Sequence, residues 1–538
     1  MLGLLVMCSV SAQSTLTPAW FTPLDREAIR AWNIADSLEA MVPCIQPLSD
    51  WAGDVHGSGE NGVSMRDYGS FSGVNVDGEY KFIQGDNSGS ATIIGLRTSG
   101  DINDVFHYEI SAERWKLPVP QHLYDGGVKW GRFDGVGVVT GANPGAGSFR
   151  ALQVDRLNFR TSIKLSPSVE FAIGHGPHHW GPGIRSLYFD RSMAPSSYLR
   201  LFIDAGPVNY THILLRTLHP MELIDSNKIG WVAAHMVDVG LGGGFSGALF
   251  GAVKWQSNDV GVNHRIEPSY LIPVVAFRPS EYALGSSDNA LIGAQLIWRG
   301  YGRRSPNQKT VYGQILFDEL LTSKLVEGTS WWGNKWGALA GGSLNSRNGK
   351  WGCLIEGSVV RPFTYSHASE TVAWTSARKP LAHPLGSNFA DIILRIKWVV
   401  KEEYTIRLAI ERVYRGLDPS TGYASGSDIF RSYLDRESDY DQMFMQGVGS
   451  EFQRISIDIA RATGEKFNLA GIEVFARGSM RVESPTAARR PLQPPLARVL
   501  WCSKVVDEDR KNGFRWSYRK PAGHPTQFLA SLVPKCAL

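Results

Sequence analysis

No stretch of this chain approaches the roughly 20 consecutive apolar residues that a membrane-crossing helix needs. Residues 271–277 are the kind of short apolar run it contains. An excess of one charge is also missing. The 538 residues carry 55 Lys and Arg against 51 Asp and Glu, a formal net charge of +4. So balanced a chain lacks the concentrated basic surface that nucleic-acid binding requires. Cysteine is scarce. Cys8, Cys44, Cys353, Cys502 and Cys536 stand at spacings that match neither a metal site nor a compact disulfide framework. There is no phosphate-cradling Gly loop with its lysine and no Ser-His-Asp elbow. What is abundant is glycine, at 57 residues, with aromatics at 11%. Together with many Ser, Thr and Asn, this is the composition of turn-rich β-structure. The chain is therefore soluble or a membrane barrel, which hides its apolar surface in alternating positions.

The N-terminus reads as an export signal over residues 1–12. A short apolar run over residues 2–10 leads to Ser11-Ala12-Gln13, and small residues suit cleavage after Ala12. No Lys or Arg precedes Arg26, so the usual basic start is absent. Met7 before Cys8 is too large for a lipoprotein site. Residues 13–60 are expected to hold a helical segment, periplasmic or plug-like, that plugs or caps a β-domain or simply packs on one end of it. Its helix spans 22–41: Thr22 caps it, Pro23 suits the first position, and Asp25 favours the positive end. Ile29, Trp32, Leu38 and Met41 recur at roughly helical spacing.

Over residues 61–480 the pattern is alternation. Leu157, Phe159, Ile163 and Leu165 interleave with Asn158, Arg160, Ser162 and Lys164, Ser166-Pro167-Ser168 turns the chain, and Val169, Phe171 and Ile173 alternate with Glu170, Ala172 and Gly174. Successive strand residues face opposite sides, so this is a hairpin with one apolar and one polar face. Ile392, Leu394, Ile396 and Trp398, then Tyr404, Ile406, Leu408 and Ile410, make a second. Ile455, Ile457 and Ile459 mark a further strand. Runs of about 9 to 11 residues cross a membrane at a tilt. Short turns alternate with long Gly/Ser/Asn-rich loops, and Trp398 and Tyr404 lie at strand ends, where a membrane interface holds aromatics. The expected fold is all-β: a large antiparallel transmembrane β-barrel of about 16–18 strands, with a short N-terminal helical segment. Residues 481–538 break the pattern with the basic, proline-rich stretch Ala487-Ala488-Arg489-Arg490-Pro491 and with Pro494-Pro495. That stretch suits neither a lipid-facing strand nor a core.

The densest motif is Gly174-His175-Gly176-Pro177-His178-His179-Trp180-Gly181-Pro182-Gly183-Ile184-Arg185-Ser186-Leu187. Its glycines permit close backbone approach. Three histidines and an arginine gather near a strand end, which fits a polar ligand loop or a tight turn whose histidines only hydrogen-bond. Adjacent histidines without a carboxylate or cysteine are poor metal spacing. No metal or cofactor is expected.

This motif resembles the signature of the capsule-assembly Wzi-like family. Further segments share the resemblance in order across roughly residues 100 to 480: Asn209-Tyr210-Thr211, Glu281-Tyr282-Ala283-Leu284-Gly285-Ser286 with Asp288-Asn289-Ala290, and Tyr312-Gly313-Gln314 with Phe317-Asp318-Glu319. Trp331-Trp332-Gly333-Asn334-Lys335, Arg361-Pro362-Phe363-Thr364-Tyr365-Ser366-His367, and Leu381-Ala382-His383-Pro384-Leu385-Gly386-Ser387-Asn388-Phe389 complete the set. The branch most alike includes members labelled gliding-motility proteins. The resemblance implies an outer-membrane barrel of about 18 strands that retains capsular or other surface polysaccharide in a lectin-like way. Outer-membrane lipid, and a surface protein in adhesion or gliding, are the other partners in view.

Sugars present hydroxyls to planar polar side chains and flat C–H faces to aromatic rings. The candidate polysaccharide-binding residues are His175, His178, His179, Trp180, Arg185, Gln314, Asp318, Trp331, Trp332, Asn334, Lys335, Arg361, Tyr365, His367, His383 and Asn388. The rival reading places the aromatics in an interface girdle and the polar residues in turns. Catalysis is not expected. A glycosidase needs two carboxylates about 5 to 10 Å apart on one substrate, and in a strand Asp318 and Glu319 point to opposite faces unless a bulge intervenes. Gln314 and Asp318 share a face, as do Glu109 and Glu113. A scaffold for a protein partner and a passive pore are the remaining alternatives.

Overall fold

The computed structural model describes residues 70–501, apart from 84–88, 104, 120, 134–135, 145–149, 220–228, 257–267, 272–287, 301–306, 347–348, 401–403, 420, 463–474 and 488–496. The export signal, the helix expected over 22–41, Cys8, Cys44, Cys502, Cys536 and most of the Glu281-containing motif fall outside the described residues.

The described part begins with β1 (Ser70–Ile83), β2 (Gly89–Ile102) and β3 (Phe106–Pro118). Helix α1 (Gln121–Trp130) and the short hairpin β4 (Arg132–Phe133) and β5 (Gly137–Asn143) come after them. Next are β6 (Ala151–Ser166), β7 (Val169–Gly176), β8 (Ser196–Asp204), β9 (Val208–Leu218), β10 (Ile229–Gly242) and β11 (Phe245–Gln256). A 3-10 turn at Pro268–Leu271 precedes β12 (Asn289–Gly300), β13 (Asn307–Glu319), helix α2 (Thr322–Val326), β14 (Lys335–Ser346) and β15 (Trp351–Val360). The two-residue strands β16 (Thr375–Ser376) and β17 (Lys379–Pro380) form a separate hairpin. The last strands are β18 (Phe389–Val400), β19 (Tyr404–Leu417), β20 (Val448–Ala462), β21 (Phe475–Ala487) and β22 (Ala497–Trp501).

Each long strand pairs antiparallel with the next, and β3 joins β6 and β15 joins β18 across their insertions. β22 returns to β1 through Phe82↔Trp501 and Ile83↔Leu500, so the twenty-stranded sheet closes on itself. With the β4–β5 hairpin set aside, eighteen strands make the wall. The two strands that complete the ring lie largely beyond residue 480, where proline and arginine hide the alternation. Closure leaves no sheet edge and satisfies the backbone ladder all round.

Burial runs opposite to that of a water-soluble protein. On β6, Leu157 and Leu165 are 54% and 64% exposed, while Arg156 and Ser162 on the other face are buried. On β11 and β13, Leu249 and Val311 are 56% and 54% exposed. The alternation expected for the β6–β7 and β18–β19 hairpins is present, in the registers Ile163↔Phe171 and Ile396↔Leu408. The apolar face points away from the barrel, and the charged face points in. An apolar band this continuous fits a hydrocarbon surrounding. Near the short turns the band carries aromatics in facing pairs, Phe245↔Trp298 and Trp351↔Trp398. On β9–β11 protein covers the outer face instead, where Leu214, Ala233, Val253 and Trp255 pack beneath Tyr270.

Connections at one end are short, as at Gly243-Gly244 between β10 and β11. Those at the other end are long: 119–150, 177–195, 257–288, 320–334, 361–388 and 418–447. Three of the long ones fold back onto the barrel and build its main core. Trp180, Tyr188, Phe189, Tyr365, Trp374 and Ile429 from these loops pack against inward side chains such as Ile213, Phe250, Leu291 and Leu339.

A charge on the outer face lacks both water and a partner. Leu249→Arg is expected to destabilise the barrel by about 2–4 kcal/mol. Lys397→Arg, on the inward face, should stay near neutral. Urea refolding into lipid vesicles measures both.

Candidate functional site: an internal plug and the mouth above it

The 177–195 segment leaves the wall after β7 and crosses the interior. The amides of Ile184 and Arg185 donate to the Glu356 carboxylate of β15 at 2.9 and 2.8 Å, and the Tyr312 hydroxyl donates to it at 2.6 Å. Gln314 of β13 accepts from the Leu187 amide at 3.0 Å and donates to the Trp180 carbonyl at 3.1 Å. The Arg185 guanidinium reaches Glu411 of β19 at 2.9 Å. The Tyr188 hydroxyl donates to the Ala294 carbonyl of β12 at 2.7 Å. The glycines are there for space: a Cβ at Gly183 would stand 2.1 Å from Glu356, and one at Gly181 would stand 2.2 Å from Gln314. The motif, open to a ligand loop or a tight turn, forms an internal plug bonded to the barrel wall.

Its three histidines part company. His175 lies on β7 and pairs with the Ser197 hydroxyl at 3.1 Å. His178 meets Tyr198 edge to face at 4.4 Å, and burial, with Arg160 and Arg200 nearby, pushes its imidazole pKa well below the usual value. The His179 Nε2–H donates to the Gly183 carbonyl at 2.9 Å, and its ring lies 3.9 Å from Asp190. Among the described residues no group of three or more His, Cys, Asp or Glu has metal-binding geometry.

The 361–388 segment forms a second layer. The Tyr365 amide donates to Asp318 at 2.7 Å, and its hydroxyl donates to the Leu187 carbonyl at 2.9 Å, tying the two layers together. Phe363, Tyr365 and Asn388 hold positive φ of 63°, 72° and 58°. Such strain costs about 1–3 kcal/mol per residue and persists because each is fully enclosed. Asn388 donates to the carbonyls of Gly416 and Gln446 at 2.7 and 2.8 Å. His383 stacks on Phe389 at 4.4 Å and faces Asp391 at 3.4 Å. The strand register shifts between Phe317 and Glu319, and this bulge brings both Asp318 and Glu319 to Lys335, at 3.1 and 3.4 Å. The adjacent carboxylates therefore do converge, onto one shared lysine whose single positive charge offsets one of the two.

Above the plug, 320–334 meets 418–447 at the mouth. The Trp332 amide donates to the Asp439 carbonyl at 2.9 Å, and the Gln442 amide donates to the Ser330 carbonyl at 3.0 Å. Trp332 packs on Tyr433 at 4.6 Å and on Trp331 at 5.8 Å, and Arg436 lies over its ring at 3.9 Å. Asn334 accepts from the Leu321 amide at 2.8 Å. Arg361 donates to the Gln442 carbonyl at 3.3 Å and lies 5.9 Å from the Phe444 ring. His367 meets Tyr433 edge to face at 5.5 Å.

The predicted residues therefore divide. Trp180, Arg185, Gln314, Asp318, Asn334, Lys335, Arg361, Tyr365, His367, His383 and Asn388 are buried. His175, His178, His179, Trp331 and Trp332 keep partial exposure. Sequence reasoning missed Glu356, Tyr433 and Arg436. Glu356 had a signal, a lone charge among Leu354, Ser358 and Val360 on one strand face. Tyr433 and Arg436 lie in a loop with no period to read.

No family model matches this chain, and no curated protein matches it. Among solved structures it is similar to Wzi of Escherichia coli, an outer-membrane carbohydrate-binding β-barrel involved in group 1 capsule assembly. Identity is 12% over 79% of this chain and 83% of that one, with a TM-score of 0.47. It is also similar to OccAB2 of Acinetobacter baumannii, at 8% identity over 82% and 98% with a TM-score of 0.45. OprD of Pseudomonas aeruginosa matches at 7% identity over 79% and 92%, with a TM-score of 0.41. Likenesses this distant do not single out the capsule-assembly branch.

Glu356→Ala leaves two plug amides and a tyrosine hydroxyl without their acceptor, a loss of about 1–3 kcal/mol per buried group. Faster hydrogen exchange at 184–187 and higher conductance in planar bilayers are the expected readouts. A pH effect is expected at His367. Burial, with Lys335 nearby, holds its pKa down at about 4 against 6.5 in the unfolded chain. The unfolded segment then binds more protons between these values, so the packing of 361–388 on 418–447 is full above pH 6.5 and weakens as pH falls toward 4. Hydrogen exchange across that window should show this, and His367→Phe should flatten it.

Proposed function

We propose that this chain is an outer-membrane β-barrel, placed with its short turns toward the periplasm and its long loops at the cell surface, and that it works there by binding surface polysaccharide. The observation that carries the location is the inverted burial of a closed eighteen-stranded wall, with Leu157, Leu249 and Val311 outward and Arg156, Glu170 and Arg200 inward. Exported barrels are built this way, and their longer loops face outward.

For the ligand, support comes from the mouth. Trp331, Trp332 and Tyr433 form an aromatic group bordered by Arg436. Rings for sugar faces beside guanidinium donors are what a glycan site needs. The ordered motifs that resemble the capsule-assembly family agree with this reading. The buried candidates act one step back, by holding the mouth loops in place.

A protein partner is the second reading. Leu325, Val326, Met443 and Met445 stand exposed near the same mouth, and aliphatic side chains suit a protein interface better than a sugar.

Trp332→Ala is expected to weaken retention of capsular polysaccharide about threefold to tenfold, the loss of one aromatic contact, while the barrel still folds. A glycan array on detergent-solubilised protein measures it. Unchanged binding sinks the glycan site. Loss of a partner protein in Val326→Asp with glycan binding intact favours the second reading. Steady high conductance of the wild type favours a pore.

A further inference from the structure

We propose that His212, His235 and Tyr210, grouped on the outer face of β9 and β10, form a binding site for a copper(II) ion. Alternation fixes which way they point. Ile213 and Leu215 of β9, with Val232, Ala234 and Met236 of β10, pack into the main core inside the barrel. Residues one position away face out. His212 and His235 are directly opposed in the strand register, and Tyr210 stands two residues along β9 on the same face. The setting is otherwise apolar. Leu201 of β8 pairs with His212, and the exposed Leu249 of β11 pairs with Val237. Three polar side chains in one spot of an apolar band are costly unless each finds a partner.

Their polar atoms converge on one point. The Nδ1 atoms of His212 and His235 lie 3.0 Å apart, with ring centroids 4.3 Å apart and 30° between the planes. The Tyr210 hydroxyl hydrogen-bonds to the same His235 Nδ1. An imidazole nitrogen has one in-plane position, for a proton or for a lone pair. His235 Nδ1 therefore serves only one of these two neighbours well, and a proton cannot hold all three atoms together. A cation can, because it accepts a lone pair from each. The spacing selects the ion. Two imidazole nitrogens 3.0 Å apart, each about 2.0–2.1 Å from one metal, subtend about 95° at it. Tetrahedral zinc needs them about 3.3–3.4 Å apart. A right-angled set of nitrogen and oxygen ligands suits copper(II), which also binds such ligands most tightly among the divalent first-row ions. Tyr210 then binds as phenolate, and its proton passes to water. Tyr210 and His212 keep partial exposure, which gives the ion a way in and leaves a fourth position for water. Tyr210 stands two residues from the start of β9, close to the short β8–β9 turn. The site is thus at the opposite end of the wall from the mouth, and it stands whatever the mouth binds.

Untagged full-length barrel in detergent, first shown folded by heat-modifiable gel migration and stripped with EDTA, is titrated with copper(II) sulfate and read by electron paramagnetic resonance. Wild type should take up one tightly held copper, with hyperfine splitting from two nitrogens and a visible tyrosinate-to-copper charge-transfer band. His212→Gln and His235→Gln should each bind at least about tenfold more weakly and lose the two-nitrogen pattern. Tyr210→Phe should keep the two nitrogens and lose the visible band. His175→Gln, on β7, should match wild type. Equal affinity and an unchanged two-nitrogen signal in both folded histidine variants overturn the site. Should a glutamine variant not fold, Tyr210→Phe decides, since a visible band that persists there overturns the site as well. Loss of the copper signal to equimolar zinc overturns the choice of metal. A folded wild type that takes up no copper overturns both.

Discussion

The closed backbone ladder is the constraint that governs everything else in this barrel. Once β22 pairs with β1, every wall strand has a neighbour on each side. Main-chain polarity is then satisfied without water, and the outward side chains are free to be apolar. Charge has only the interior left. Arg200 meets Glu170 there at 3.1 Å and Arg185 meets Glu411 at 2.9 Å, because a buried charge without a partner costs several kcal/mol. Loop segments supply many of the remaining partners. The plug is thus a consequence of an interior too polar to collapse on itself, and Glu356 serves it as an acceptor for two backbone amides of a crossing chain.

Strand periodicity was readable because it depends on one residue and its neighbours two away. The β6–β7 turn at Pro167 and the β18–β19 hairpin stand where alternation places them. The eighteen-stranded wall lies at the upper end of the about 16–18 strands expected from the alternating region. Local pattern failed where a contact is long-range. Nothing between residues 174 and 187 says that Ile184 will meet a residue 172 positions away. The glycines there signalled a close approach, and the approach is to the protein's own Glu356 and Gln314. At β21–β22, proline and arginine obscure the period although the strands still pair. Asp318 and Glu319 turned on a bulge, a feature that spacing cannot reveal.

The two layers of the plug divide the work of the mouth. Tyr365 joins them, with its amide on Asp318 and its hydroxyl on Leu187. Asn388 and Phe363 hold the upper layer in conformations that cost energy, and their burial offsets that cost. This is why so many polar residues with the look of a binding site lie out of reach of a polymer. They fix the height and tilt of 418–447, whose Tyr433 and Arg436 then frame Trp332. A rigid floor under an aromatic group lowers the entropy lost on binding an extended ligand.

The plug and the short β7 have one cause. β6 runs for 16 residues and β7 for only 8, because the chain must leave the wall at Gly176 to carry Trp180 and Arg185 inside. A full-length β7 would pair further along β6 and forfeit the plug. The β4–β5 hairpin pairs with β6 beyond the reach of β7, and Gly137 makes that pairing possible, since a Cβ there would lie 2.3 Å from the Asp155 carbonyl. Lengthening β7 and deepening the plug are therefore opposed demands on one stretch of chain.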